Sequence, residues 1–432
     1  MNILFIGKLP PIQGGVSTSS MWSVLDICEA GHSVYYLTNS TISDSNYTAF
    51  DIPGEKPFFA HPNLKVIEME EIPSNSYRPW ANPFYSLFMG CAHRLISEHQ
   101  IDCIIGWYYE PYGSVAATIG KLYNIPSVLR HAGSDLGLLM NFPNLRSSYT
   151  WAAKNATFVL ANGSSADFFR EIGVFEEKIV PVVARRLNDI YRFNSRKKSS
   201  HSWYTHELEY FVEKFHDWLE PQKFVSPQIA NTINQGVINP KSFKMLMYGK
   251  VGMKKGSFQI LESLDELAIS GQDFQFFYAL SGHQKQINAF CKELHKRTFL
   301  REKVFLLPPL MPWHIPDLLN QVNLTMFLEH DFPIDIHAPR VPREILASKS
   351  HLLCTREIVD KLPFGQNLVD GQNISIIDDP SNSGDLLRTI ESLVASPLRC
   401  EAMATHACYL SDFIENEYSS KDVLIEVLEK IG

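Results

Sequence analysis

Short apolar runs alternate with segments of helical spacing along most of this 432-residue chain. Apolar runs bounded by turns are typical of buried strands, and apolar residues repeated every three or four positions predict amphipathic helices. The first repeat has an apolar run at 3–6, a loop with Gly14 and Gly15, and a helix from residue 17. A second strand follows at 34–37, so the chain begins as one unit of a doubly wound parallel α/β sheet.

The same alternation continues to residue 183 and defines a first domain. The further elements that it predicts there are strands at 64–67, 103–107, 127–130, 157–161 and 178–183, and helices at 83–99, 112–123, 147–154 and 165–172. Helices that separate consecutive strands are characteristic of a parallel sheet covered on both faces.

A second domain with this alternation begins at residue 244. Its predicted elements are strands at 245–248, 275–280, 304–307, 324–328 and 351–354, and helices that begin near Gly256 and Pro342 or lie at 284–294, 315–320, 385–395, 397–409 and 421–430. A chain of this length is expected to form two domains. We therefore predict two doubly wound Rossmann-like domains that face a cleft. The predicted segments are an N-terminal domain at 1–185, a linker or insertion at 186–240, a C-terminal domain at 241–410 and a C-terminal helix at 411–432.

The segment between the two domains interrupts the alternation. Residues 204–219 have apolar side chains on one helical face, which predicts an amphipathic helix. Two interpretations stay open: a solvated linker followed by a packed helix, or peripheral contact of 185–219 with an anionic membrane or acceptor. The basic residues that precede the helix are Arg185, Arg186, Arg192, Arg196, Lys197 and Lys198.

Composition and charge exclude several classes of protein. Hydrophobic residues make up 45% and charged residues 20%, as in ordinary soluble globular proteins. The net charge of −8 and the pI of about 6.0 argue against nucleic-acid binding, which requires a basic face. The seven cysteines are scattered without a C-x-x-C pair, which is typical of reduced thiols. With no signal peptide and no apolar stretch of about 18 residues, we expect a cytoplasmic protein, at most peripherally attached to the inner face of the membrane.

A strand and a helix in the second domain flank a turn that contains several glycines and lysines. The strand ends at Gly249, the helix begins near Gly256, and Lys250, Lys254 and Lys255 lie between them. Free backbone N–H groups at a helix start, together with lysine side chains, favour a phosphate group. The turn is therefore a candidate phosphate site, with a solvated basic turn as the alternative.

Other candidates lie where open α/β sheets bind ligands, at the carboxyl ends of strands. Gly14 and Gly15 let a ligand approach the backbone closely, although their loop lacks the G-x-G-x-x-G pattern of dinucleotide-binding dehydrogenases. His131 follows the strand at 127–130, and Glu344 lies in the first turn of a helix, where the macrodipole favours a carboxylate. The alternatives are a plain turn, a structural histidine and a simple helix charge.

A metal site is not predicted. His330, Asp331, Asp335 and His337 are suitable types of ligand, but their spacing matches no common zinc or non-haem iron motif. We therefore expect a site that works without a metal ion.

Taken together and in order, these motifs resemble the GT-B glycosyltransferases. The resemblance is closest to the large retaining group called glycosyltransferase family 4, and it covers most of the chain outside roughly 40–80 and 195–240. The motifs that carry it are Gly14-Gly15, Arg130-His131-Ala132-Gly133-Ser134-Asp135, Gly249-Lys250, Lys254-Lys255-Gly256 and Glu344-Ile345-Leu346-Ala347.

The resemblance implies a role for each motif. His131 reaches the donor sugar, while Lys250 and Lys255 hold the donor diphosphate, so these three residues are assigned to catalysis. Glu344 binds the nucleotide ribose. The residues assigned to donor binding are Gly14, Gly15, Gly249, Asp335, His337, Ala338, Pro339 and Glu344.

Two positions depart from the family pattern. Ile336 stands where the first acid of the family's E-x7-E motif is expected, eight residues before Glu344. Asp335 or Glu329 would have to supply the missing carboxylate. Lys250 stands where the family commonly has an arginine, which exchanges a bidentate group for a point charge.

The function implied by the resemblance is a retaining, metal-independent glycosyltransferase of carbohydrate biosynthesis. Its co-substrate would be a nucleotide sugar such as a UDP- or GDP-sugar, with no further cofactor. The acceptor would be a carbohydrate, a lipid-linked molecule or a small molecule. Two alternatives remain: a catalytically reduced homologue that acts as a binding or scaffold partner, and a GT-B-like sugar-nucleotide epimerase.

Overall fold

The computed structural model describes residues 1–39, 47–51, 60–69, 84–161, 163–182, 202–222, 225–332, 339–348, 350–362, 364–417 and 422–432. Within these residues the strands form two parallel sheets, one of seven strands and one of six. The predicted fold of two doubly wound domains is confirmed. The domain boundaries that we place from the sequence stay predictions.

The first sheet is parallel throughout. Its strands are β1 (Asn2–Ile6), β2 (Ser33–Thr38), β3 (Leu64–Glu68), β4 (Cys103–Trp107), β5 (Ser127–Arg130), β6 (Phe158–Ala161) and β7 (Ile179–Pro181). Their order is β3-β2-β1-β4-β5-β6-β7, so the direction of winding reverses between β1 and β4. Such a reversal opens a crevice at the carboxyl ends of the two strands, where ligands bind in this class of fold.

The second sheet repeats this plan. Its strands are β8 (Phe243–Lys250), β9 (Phe274–Ser281), β10 (Val304–Leu307), β11 (Leu324–Phe327), β12 (His351–Thr355) and β13 (Ser375–Ile377). The order β10-β9-β8-β11-β12-β13 reverses between β8 and β11. The short strand β13 is not predicted, because three residues are too few for a recognisable apolar run.

Helices cover the first sheet, which explains why residues 3–6 of its central strand are fully buried. These helices are α1 (Gly15–Glu29), α2 (Phe84–Glu98), α3 (Ser114–Tyr123), α4 (Ser134–Gly137), α5 (Pro143–Asn155) and α6 (Gly163–Glu171). Each predicted helix of this domain is present, with its ends shifted by a few residues. Shorter helical turns lie at Tyr109–Gly113, Leu139–Asn141 and Glu176–Lys178.

The rest of the chain adds the helices of the second domain and one that returns to the first. They are α7 (Ser202–Gln222), α8 (Pro227–Ala230), α9 (Gln259–Ile269), α10 (Gln284–His295), α11 (Thr298–Arg301), α12 (Ile315–Leu319), α13 (Val341–Leu346), α14 (Arg356–Lys361), α15 (Ser383–Val394), α16 (Pro397–Glu417) and α17 (Val423–Ile431). Short 3₁₀ turns lie at Met253–Lys255, Pro312–His314 and Gly365–Asn367.

Helix α7 is the amphipathic helix that the sequence predicts at 204–219, and its apolar face is covered by the second domain. Phe211 and Phe215 are 1% and 0% exposed and belong to the hydrophobic clusters of that domain. The apolar face is therefore not available to a membrane, and that part of the membrane interpretation is wrong. The outward row of α7 is acidic, with Glu209, Glu213, Asp217 and Glu220 exposed, which disfavours an anionic surface.

The two domains contact each other at several points. Helix α17 packs with β1 and α1 of the first domain through Leu424, Val427 and Leu428. The Ser23 hydroxyl donates to Asp422 at 2.7 Å, at the start of that helix. Arg340 Nη1, just before α13, donates to Ser19 Oγ of α1 at 2.8 Å. The edges of the two sheets therefore face each other. No helix within the described ranges is both long and apolar enough to cross a membrane.

Candidate functional site

The Gly14-Gly15 loop leads from β1 into α1. Gly14 has a φ of 113°, a left-handed conformation that side chains other than glycine rarely adopt, and it caps the helix without a side-chain hydrogen bond. No atom of the described residues lies within 4 Å of where a Cβ would stand on Gly14 or Gly15. There is therefore room for a ligand beside the start of this 15-residue helix, where the first backbone N–H groups lack intrahelical partners.

The turn after β8 differs from the prediction in where the strand ends and where the next helix begins. The strand continues through Lys250, a 3₁₀ turn follows at Met253–Lys255, and α9 begins at Gln259 instead of near Gly256. Gly256 has a φ of 75°, and a Cβ there would stand 2.3 Å from Leu328. The close approach to β11 holds this irregular turn in place, so its lysines are presented by a rigid loop.

Hydrogen bonds on its buried side hold the same turn. The Ser257 hydroxyl is fully buried and accepts a bond from the Gly252 backbone N–H at 3.1 Å. The Ser257 and Tyr278 hydroxyls are 2.8 Å apart and share a further bond. Because these groups are buried and paired, the turn is stable without a ligand.

Lys255 forms an ion pair with Glu329, whose side chain is fully buried. Burial, followed by the positive charges of Lys250 and Lys361, lowers the pKa of Lys255 to about 8, whereas Glu357 acts in the opposite direction. Lys250, the other predicted catalytic lysine, is exposed. The two lysines therefore interact electrostatically, as a shared phosphate site requires.

Lys8 lies at the carboxyl end of β1 and interacts with Lys250, although the sequence does not single it out. It lies two residues after β1, with its ammonium group 4.4 Å from the centroid of the Tyr108 ring. Burial, then the charge of Lys250, lowers the pKa of Lys8, while Asp135 raises it. Its position directly before the Gly14 loop was the available sequence signal.

His131 lies at the end of β5, close to the same crevice. Its Nε2 and the Ser165 hydroxyl are 3.0 Å apart. Burial, then the adjacent Arg130, lowers the pKa of His131 to about 4, so the imidazole is neutral near pH 7. A neutral imidazole suits hydrogen bonding to a sugar hydroxyl better than charge stabilisation.

Asp135 holds the loop that carries His131. Its carboxylate is fully buried and accepts backbone hydrogen bonds from Ala132, Tyr109 and Leu136 at 3.0–3.2 Å. These donors offset part of the cost of burying this charge, although burial still raises the pKa of the Asp135 carboxyl. Asp135 therefore acts as a structural element of the loop.

Glu344 lies in the first turn of α13 and is only 8% exposed. Tyr248, the residue before Gly249, donates its hydroxyl to Oε2 at 2.8 Å. Arg340 donates from Nε to Oε1 at 2.7 Å. The carboxylate is thus held at the end of β8, beside the lysine turn, and it retains lone pairs for further donors. Neither residue was predicted. Arg340 stands four residues before Glu344, a spacing that was available as a signal, whereas no spacing connects Tyr248 with Glu344.

Part of the predicted donor site cannot be placed. Asp335, His337 and Ala338 lie outside the described residues. Pro339 is described, and its backbone oxygen accepts a bond from Arg343 at 3.3 Å. Of the two carboxylates considered as the missing first acid, Glu329 is the one that the structure places in the site, against Lys255. Among the described residues no group of three or more His, Cys, Asp or Glu residues could hold a metal ion; metal independence stays a prediction.

Similarity to known proteins lies in structure and not in sequence. No protein-family model matches the chain, and no curated protein matches its sequence. The solved sucrose-phosphate synthase of Thermosynechococcus elongatus matches with a TM-score of 0.63 at 11% identity, covering 99% of this chain and 97% of that one. Anabaena HepE, solved in complex with UDP-glucose, matches with a TM-score of 0.60 at 16% identity over 100% and 98% of the two chains.

The chain has the GT-B fold. A UDP-N-acetylglucosamine 2-epimerase also matches, with a TM-score of 0.55 at 10% identity over 99% of this chain and 95% of that one. The GT-B fold is thus shared by a synthase and an epimerase, whose reactions differ. The roles of individual residues must be argued from the site itself.

Proposed function

We propose that this GT-B protein is a glycosyltransferase that moves a sugar from a nucleotide-sugar donor to an acceptor. The observation that carries the proposal is that Lys250 interacts electrostatically with Lys255 of its own domain and with Lys8 of the other, while α1 contacts Arg340 through Ser19. Basic side chains and free N–H groups at one point favour the diphosphate of such a donor. The structural match to HepE, which was solved with UDP-glucose, supports this class of ligand.

The chemistry follows from this arrangement. The bond between the anomeric carbon and the diphosphate oxygen breaks, the acceptor oxygen bonds to that carbon, and the acceptor proton passes to the leaving diphosphate. Negative charge grows on the diphosphate as the bond breaks, and Lys250 and Lys255 stabilise it there. Since the lysines supply this positive charge, the reaction is proposed to need no metal ion. Retention of the anomeric configuration and membership of glycosyltransferase family 4 are proposed from the motif resemblance.

Glu344 is proposed to accept hydrogen bonds from the ribose hydroxyls of the donor. Its support is the contact with Tyr248, which places the carboxylate beside Gly249 and the lysine turn. His131 is proposed to contact the transferred sugar, since it lies on the facing sheet. The acceptor, a carbohydrate, a lipid-linked molecule or a small molecule, would bind mainly to the first domain.

Product analysis tests this function. A thermal-shift screen of nucleoside diphosphates and nucleotide sugars identifies the donor, because a tight ligand raises apparent stability. The purified protein is then incubated with that donor, with and without candidate acceptors. Release of nucleoside diphosphate together with a glycosylated acceptor supports the proposal. A changed sugar configuration without acceptor would instead favour the epimerase, a function that the structural match makes a specific alternative.

A catalytically reduced homologue is the remaining alternative, favoured by Ile336 at the position of the first motif acid. The contact between Glu329 and Lys255 weakens this alternative, because it brings a carboxylate into the site. Binding of the donor without any turnover in the same assay would support the reduced homologue.

Binding of nucleoside diphosphate should weaken as the pH rises through about 8. Lys255, whose pKa is lowered to about 8, loses its proton in this range, and an anion binds the charged form. Affinity should fall by up to about ten-fold per pH unit above the pKa. Calorimetric titration between about pH 6.5 and about 9.5 measures this.

A Lys255→Arg variant is the control for that profile, since a guanidinium stays protonated throughout. Its affinity should be nearly constant over the same range. The lysine also faces Lys250, Lys361, Glu357 and Glu329. An arginine variant with the parent's pH dependence would show that another group titrates.

We further propose a cytoplasmic protein with peripheral contact to the inner face of a membrane through the basic part of 185–219. The basic run lies outside the described residues, and the acidic outward row of α7 restricts the contact to that run. The protein should sediment with anionic vesicles at low salt and be released at high salt, since salt screens such attraction. Neutral vesicles serve as the control. Absence from the anionic pellet at low salt would remove the membrane contact from the proposal.

A further inference from the structure

Lys8 is a partly buried ammonium group without an anionic partner. Within the part of the chain that the structure describes, neither Lys8 nor Lys250 forms an ion pair or donates a side-chain hydrogen bond. The recorded side-chain contact of Lys8 is with the face of the Tyr108 ring, at 4.4 Å from its centroid. The Tyr108 hydroxyl is in turn 3.2 Å from that of Ser134, which fixes the ring. A cation held in place without an ion pair among these residues is suited to binding an anion.

The charge that faces Lys8 comes from the other domain. Lys250 ends β8, and after burial its positive charge is the next cause that lowers the pKa of Lys8. The domains also touch nearby, where Arg340 donates to Ser19 at 2.8 Å. Two like charges that face each other across a cleft repel, and an anion between them relieves this repulsion.

The nearby carboxylate of Asp135 raises the pKa of Lys8 but does not form an ion pair with it. It is fully buried and already accepts backbone hydrogen bonds from Tyr109, Ala132 and Leu136. No ion pair joins it to Lys8 among the described residues. The Lys8 ammonium therefore contacts the Tyr108 ring and interacts electrostatically with Lys250 of the other domain.

We propose that Lys8 binds the donor diphosphate from the first domain, opposite Lys250, so that one anion is held by lysines of both domains. The inference rests on the proposed function and adds a residue to it. A diphosphate has enough oxygens to accept bonds from both ammonium groups at once. Ligand binding and the approach of the two domains are then coupled, because the anion cancels the repulsion between them.

Inorganic pyrophosphate and UDP are the probes, and calorimetric titration is the measurement. Pyrophosphate carries the diphosphate without a base, so its binding does not depend on which nucleotide the protein uses. Lys8→Ala should weaken pyrophosphate binding about ten-fold, the effect of one charged hydrogen bond. Lys8→Arg, which keeps the positive charge, should restore most of the affinity. The matched control is Lys65→Ala, since Lys65 lies 6.0 Å from the Tyr35 ring on β3, away from the cleft.

The outcomes separate this inference from the proposed function. Weaker binding in Lys8→Ala, rescued by Lys8→Arg and absent in Lys65→Ala, supports the inference. If the parent binds pyrophosphate and Lys8→Ala binds it as tightly, the inference is overturned while the proposed function stands. If the parent binds neither probe nor any nucleoside diphosphate of the thermal-shift screen, the proposed function fails, and the inference fails with it.

Discussion

Lys255→Ala is expected to lose both donor turnover and thermal stability. Loss of a charged hydrogen bond to phosphate should cost roughly 1.5–3 kcal/mol, or about ten- to a hundred-fold in turnover. The variant also leaves Glu329 fully buried without its cation. Removal of one partner from a buried pair costs on the order of 3 kcal/mol of folding free energy. Turnover assays and thermal unfolding of the variant measure the two losses.

The double variant Lys255→Ala/Glu329→Gln separates these effects. A neutral amide of the same shape removes the unpaired buried charge, so stability should largely return while turnover stays low. Lys254→Ala is the matched control, because that ammonium bonds to the Asp331 backbone oxygen at 2.7 Å and is exposed. If the single variant Lys255→Ala turns over donor at the parent's rate, the phosphate role of Lys255 is refuted.

The alternation of strands and helices was predictable because it depends on local patterns of apolar residues. The start of α9 was not predictable in this way. Gly256 and Ser257 lie in an irregular turn against Leu328, the residue after β11, and Tyr278 of β9. A contact made by residues far apart in sequence leaves no periodic signal, so the helix was expected to begin near Gly256.

The amphipathic pattern of α7 was visible, but the pattern alone does not distinguish a protein core from a membrane. Phe211 and Phe215 pack into the second domain because its sheet offers an apolar face there. The acidic row formed by Glu209, Glu213 and Asp217 was readable beforehand at helical spacing. It was the available signal against an anionic membrane, and charge on the outward face should be weighed together with the apolar face.

The candidate site was predictable only as separate motifs. Lys255 and Glu329 are 74 residues apart, and Tyr248 and Glu344 are 96 residues apart. Their contacts arise because β8 and β11 are neighbours in the sheet, a fact of topology that spacing does not express. Sequence motifs therefore located the phosphate turn and the carboxylate, while the partners that hold them required the fold.

Glu344→Gln is expected to weaken the binding of nucleoside diphosphate and of nucleotide sugar to a similar extent, by roughly ten-fold. The amide keeps the shape of the side chain and can still accept a bond from Tyr248. It loses the charge assistance that strengthens hydrogen bonds from the ribose hydroxyls. Both ligands carry the ribose, so both should be affected. Tyr248→Phe, which removes a partner of the carboxylate but leaves its charge, should have a smaller effect.

His131→Ala is expected to affect only one of the two ligands. Because the neutral imidazole is proposed to contact the transferred sugar, its removal should weaken binding and transfer of the nucleotide sugar while nucleoside diphosphate binds as in the parent. Calorimetric titration of Glu344→Gln and His131→Ala with both ligands gives a two-by-two comparison. A purely structural Glu344 cannot produce this pattern, since a general loss of folding would weaken all four measurements. If folded Glu344→Gln binds nucleoside diphosphate as tightly as the parent, the ribose role fails, and the catalytically reduced homologue becomes the better account.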